Sequence, residues 1–142
     1  MKTEGEFNAW MSKEYKRRSS QGVYALKVSD RFQVGIADFI VWRNGKSVAH
    51  ENKAISDFPK TDKLILKHVF DGAQTTWLET FELAGNRSYG IIVVLKLGKF
   101  YVFDRKHIPL SGNFKMSEFD AIPKKVFNID NESFEEFLGE HL

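Results

Sequence analysis

Asp38, Glu51 and Lys53 are the residues of this 142-residue chain whose types and spacing point to chemistry. Asp38 stands in the run Gly35-Ile36-Ala37-Asp38-Phe39, an apolar setting in which an unpaired carboxylate is costly. Beyond an Asn44-Gly45 turn comes Glu51-Asn52-Lys53. Alternate side chains of a strand share a face, so Glu51 and Lys53 project together while His50 and Asn52 project the other way. With Asp38 on the neighbouring strand, the three converge at one sheet edge. Two carboxylates on rigid strands suit Mg²⁺, a hard cation that prefers oxygen ligands and keeps several waters; Mn²⁺ is the expected substitute. A lysine beside them is placed to orient or deprotonate water and to offset phosphate charge. These are the parts of metal-assisted phosphodiester hydrolysis.

A Glu-x-Lys triplet is a weak signal alone. Glu14-Tyr15-Lys16 repeats it, but i and i+2 on a helix do not face each other. Asp104-Arg105-Lys106 follows a strand with no matching carboxylate before it. The plain alternative makes Asp38 a carboxylate held by turn amides or Arg31, and Glu51 with Lys53 an exposed pair.

The elements that must carry these residues are legible from periodicity. Thr3-Glu4-Gly5-Glu6 has the form of a capping box, and Phe7, Trp10, Met11 and Tyr15 recur behind it at helical spacing. That helix runs out in Lys16-Arg17-Arg18. Strands are expected at 23–28, 36–42 and 47–53, the last two joined by Asn44-Gly45, a strong hairpin signal. Residues 54–70 read as irregular. A second helix is expected over Gln74 to Ala84, then strands at 89–95 and 100–103. A short acidic helix, Ser133 to Leu142, is expected to be capped by Asn131 or Ser133. The order describes a mixed α/β, or α+β, chain, expected to be one domain over 1–142.

Composition narrows the chemistry further. With no Cys, a disulfide framework, a thiol nucleophile and Cys-ligated zinc or iron–sulfur sites are excluded. The hydrophobic share of 42% rules out wholesale disorder. No apolar run is long enough to cross a bilayer and the first residues are unlike a signal peptide, so a cytoplasmic protein without a membrane partner is expected. Net charge is only +2, yet residues 1–70 carry 13 Lys+Arg against 8 Asp+Glu while the remainder carries 8 against 11. A basic half hints at an anionic partner. Lys13, Lys16, Arg17, Arg18, Lys27 and Arg31 precede the hairpin and are candidate phosphate contacts.

The residues Gly35-Ile36-Ala37-Asp38-Phe39 and Glu51-Asn52-Lys53, within this helix and strand order, resemble the PD-(D/E)XK nuclease superfamily and its restriction-endonuclease-like αβββαβ core, over about residues 4–103. Ala37 stands where the name-giving Pro would be. The run from His68-Val69-Phe70-Asp71-Gly72-Ala73-Gln74, through Trp77-Leu78 and Ala84-Gly85 to Ile91-Ile92-Val93-Val94, is similar to the VRR-NUC and RecU-like Holliday junction resolvase branch. The resemblance implies a central mixed sheet flanked by helices and an Mg²⁺-dependent DNA endonuclease of recombination and repair. Asp38 and Glu51 would hold the metal, Lys53 would act on water, and Gln74 and a first-helix acidic residue would assist. That acidic residue is expected to be Glu6, with Glu4 as the alternative. The expected substrate is branched DNA, and symmetric junction cleavage implies a homodimer. Two rivals remain: a catalytically silent nucleic-acid-binding module of the same fold, and an interaction domain docking through its acidic C-terminal helix.

Overall fold

The computed structural model describes residues 1–28, 37–66, 72–109 and 113–142. Helix α1 (Glu4–Arg17) begins at Thr3, whose hydroxyl accepts the Glu6 amide at 3.1 Å. Its stripe Phe7, Met11 and Tyr15 is buried, as the periodicity predicts. Three strands follow: β1 (Tyr24–Lys27), β2 (Phe39–Arg43) and β3 (Lys46–Ile55). Asn44 (φ 52°) and Gly45 (φ 74°) make the β2–β3 connection, both left-handed as a type I′ hairpin requires. Strand β3 continues through Ile55, and β4 (Leu64–Leu66) follows, so the stretch read as irregular holds ordered strand at both ends.

Helix α2 (Gly72–Leu83) leads to β5 (Arg87–Val94), which pairs parallel with β3; β6 (Lys99–Asp104) returns antiparallel. The parallel pair needs a crossover, and α2 supplies it. The sequence reading missed β7 (Phe114–Lys115), α3 (Met116–Ala121) and β8 (Lys125–Asn128). Phe127 is the one buried residue of β8, so no alternation marks that strand. The six-stranded mixed sheet has the order β1-β2-β3-β5-β6-β8; β4 and β7 pair separately.

The sheet carries a core on each face. On one, α1 and α4 (Asn131–His141) pack Phe7, Met11, Tyr15, Phe134, Phe137 and Leu138 onto Phe39, Val41, Ile91, Val93 and Phe100. On the other, Leu78 of α2 and Phe119 of α3 join Ala49, Ile92, Phe103 and Phe114. Asp130 caps α4, accepting the Ser133 amide at 2.7 Å, in place of Asn131 or Ser133. Phe134, Phe137 and Leu138 of α4 are buried in this core, while Glu132, Glu135, Glu136 and Glu140 are exposed.

Candidate active site

Glu51 and Lys53 project from β3 on the α2 face of the sheet, and the partner network of β3 fixes Asp38 beside them. Asp38 precedes the first residue of β2 rather than lying mid-strand. Its Oδ2 accepts the main-chain N–H of Asn52 at 2.7 Å, so the backbone of the Glu51-bearing strand aims the carboxylate. Asn52 is itself held from the opposite face. Tyr15 O–H meets His50 Nε2 at 2.8 Å, His50 Nδ1 meets Asn52 Oδ1 at 2.8 Å, and Asn52 Nδ2 donates to Asn8 Oδ1 at 2.7 Å. Burial lowers the His50 pKa to about 4, so the imidazole stays neutral and passes one hydrogen bond in each direction.

Glu51 is the buried member of the pair, 2% exposed. Its Oε1 takes both the Lys53 Nζ at 3.1 Å and the Gln74 Nε2 at 2.9 Å. Its Oε2 is buried and has no hydrogen-bond partner among the described residues. Burial first, then the Asp38 charge, raise the Glu51 pKa to about 8, and Lys53 opposes the rise. Gly90 lies beside Glu51 on β5 and opposite Phe103 on β6. A Cβ at Gly90 would come within 2.5 Å of the Phe103 ring, so only glycine leaves room for that ring against β5.

The carboxylates fit a hard divalent cation. Glu51 has a buried oxygen that no donor among the described residues satisfies, and the neighbouring Asp38 charge helps raise its pKa against the opposing Lys53, so a cation at that oxygen would offset negative charge. Among the described residues no three acidic or imidazole side chains gather into a cage. Two protein ligands with the rest water is the arrangement Mg²⁺ tolerates.

Of the two first-helix acids, Glu4 lies beside the cluster and Glu6 does not. Glu4 Oε1 accepts the Ala54 amide at 3.0 Å, just past Lys53, and its pKa is raised by burial with Lys53 and Asp38 both acting on it. Glu6 is exposed and binds the Lys2 amide at 2.8 Å, at the cap. Glu4 shares the stripe of Phe7 and Met11 at i, i+3 and i+7, a signal present in the sequence.

The basic candidates divide. Lys27 reaches the site: its Nζ lies 3.5 Å from Asp38 Oδ1. Arg18 is buried, bonded to Glu14 at 2.9 Å, Glu135 at 2.6 Å and Asn131 at 2.7 Å, which joins α1 to α4 and removes it from any phosphate track. Lys13, Lys16 and Arg17 are exposed at the far end of α1, on the helix covering the opposite face, and Arg17 pairs with Glu14. Arg31, Gly35, Ile36 and the 68–71 run lie outside the described residues.

No protein-family model and no curated protein matches the sequence. Solved structures do. The 1.6 Å structure of Hjc, a Holliday junction resolvase from the archaeal hyperthermophile Archaeoglobus fulgidus, matches with a TM-score of 0.53 over 79% of this chain and 90% of that chain, at 14% identity. The two share a fold. The resolvase fold therefore accounts for the central mixed sheet and its flanking helices, while the site rests on this chain's own residues.

Gln74 is the helix residue that grips Glu51 Oε1. Loss of a residue that orients a metal-binding carboxylate costs about 10–100-fold in activity. If the site is a metal-dependent nuclease centre, as proposed below, Gln74→Ala should slow single-turnover cleavage by that factor with little change in DNA affinity. Equal single-turnover rates would leave Gln74 a structural residue only.

Proposed function

We propose that the chain is a divalent-metal-dependent DNA endonuclease of the PD-(D/E)XK type, near the VRR-NUC and RecU-like branch, acting on branched DNA as a homodimer. The observation that carries this reading is Glu51 Oε2, buried without a partner beside Asp38, with Lys53 3.1 Å from the other oxygen. The shared fold with a protein described as a Holliday junction resolvase supports it.

Asp38 and Glu51 would hold the cation, Mg²⁺ or Mn²⁺. When bound, it supplies a counter-charge for the phosphate and a more acidic water. The Asn52 amide and Gln74 fix the carboxylates. Lys53, as an ammonium beside Glu51, would orient the attacking water and steady the charge on the scissile phosphate. Lys27 and Glu4 border the same space and tune its charge.

The Lys53–Glu51 ion pair is also what a silent binding module of this fold would keep, so catalysis needs a direct test. Labelled four-way junction, flap, duplex and single-stranded DNA, each with Mg²⁺ and with chelator, should show metal-dependent cutting, fastest on the junction. Uncut DNA of every form, bound equally with and without metal, would establish the module instead.

A further inference from the structure

The sheet face that carries Glu51 and Lys53 continues onto β1 and β2, where Tyr24, Leu26 and Trp42 are exposed among the described residues. Pairing places Tyr24 opposite Trp42 and Leu26 opposite Ile40; Ile40 and Trp42 in turn face Ala49 and Ser47, the residues that alternate with Glu51 along β3. All therefore share one face. Tyr24 is 63% exposed, Leu26 45% and Trp42 39%. The Tyr24 and Trp42 rings lie 5.6 Å apart at 40°. Helix α2 packs mainly on β5 and β3.

Three observations say what covers this patch. Adjacent exposed aromatics offer π-faces on a rigid strand pair, the surface on which bases stack. Residues 23–28 and 39–50 contain Lys27, Arg43 and Lys46 and no Asp or Glu, a charge that suits a polyanion. The patch is also continuous with the acidic cluster: Trp42 is four residues from Asp38, about 13 Å along a strand. Stacked nucleotides rise about 3.4 Å each, so the separation is about four nucleotides.

We propose that Tyr24 and Trp42 form a nucleobase-stacking platform that takes an unpaired base of branched or single-stranded DNA, about four nucleotides from the phosphate held at Asp38 and Glu51. The distance rests on the nuclease reading; the stacking does not. Such a platform favours DNA with unpaired bases over intact duplex without reading sequence, since every base has a π-face that stacking within a duplex covers.

Anisotropy titrations in chelator, with oligothymidine, bulged duplex and blunt duplex, test it on Trp42→Ala, Tyr24→Ala and Trp42→Phe. The alanine variants should lose about ten-fold affinity for oligothymidine and bulged DNA, stay within about two-fold on blunt duplex, and melt like wild type; Trp42→Phe should keep most of the affinity. Unchanged affinity for unpaired DNA, or an equal loss on blunt duplex, would overturn the platform. So would alanine variants that turn a dimer into a monomer at unchanged DNA affinity, which would make a second copy the occupant. Repeating the titrations in a Glu51→Gln background separates the claims. A stacking loss there, in a protein that never cuts, upholds the platform even if wild type proves inactive.

Discussion

Glu51→Gln should abolish cleavage and, in metal-free protein at alkaline pH, raise stability. The first effect follows from removing one of two carboxylates at the cation site, where charge stabilisation is worth several kcal/mol, a rate loss on the order of 10³-fold or more. The second follows from linkage. The Glu51 pKa rises from an ordinary 4.5 to about 8 on folding. The folded state thus binds more protons than the unfolded state between those values. The group's contribution is fully present below pH 4.5 and is lost as pH climbs through about 8. Glutamine cannot ionise and keeps an oxygen for Gln74, so the variant should exceed wild type by about 2–4 kcal/mol near pH 9 and match it near pH 5. Urea melts at both pH values check this, and a wild type equally stable at both, relative to Glu51→Gln, would contradict the burial of a strained acid. Asp38→Asn should also be inactive while keeping an acceptor for the Asn52 amide.

Lys53→Ala should bind branched DNA almost normally and cut it on the order of 10²–10⁴-fold more slowly. A single phosphate contact changes affinity modestly and lowers the salt slope by about 1, whereas a group aimed at water or the scissile phosphate acts mainly in the transition state. Lys53→Arg should recover little, since a planar, bulkier guanidinium does not reproduce the point charge of an ammonium at the same position. Single-turnover rates and salt-dependent binding measured side by side distinguish the cases. Binding lost in step with cutting would reduce Lys53 to a phosphate contact.

Much of the cluster was legible because strand periodicity is strict. Glu51 and Lys53 had to share a face, and the Asn44-Gly45 turn fixed the β2–β3 register that puts Phe39 opposite His50. Gln74 came from the family resemblance, and its bond to Glu51 is consistent with that expectation. Helix phase accounts for two differences. The capping-box pattern draws attention to Glu6, although Glu4 shares the buried phase of Phe7 and Met11. Arg18 reads as a candidate phosphate contact, although it falls one turn beyond Tyr15 and is held by Glu14 on the same helix and by Glu135 from the far end of the chain. Long-range partners of this kind leave no local trace. Neither do β8 and α3, whose short exposed segments take their place from pairing with β6 and packing on Phe103. Tyr24 and Trp42 are invisible as a pair until register sets them opposite one another.

The measurement closest to the central claim is the anomalous map of a crystal soaked in Mn²⁺. The account predicts one peak bridging Asp38 and the free Oε2 of Glu51, with waters completing the shell and Lys53 Nζ moved away from Oε1. A map with no peak there, and Lys53 still paired to Glu51 at saturating Mn²⁺, would contradict it.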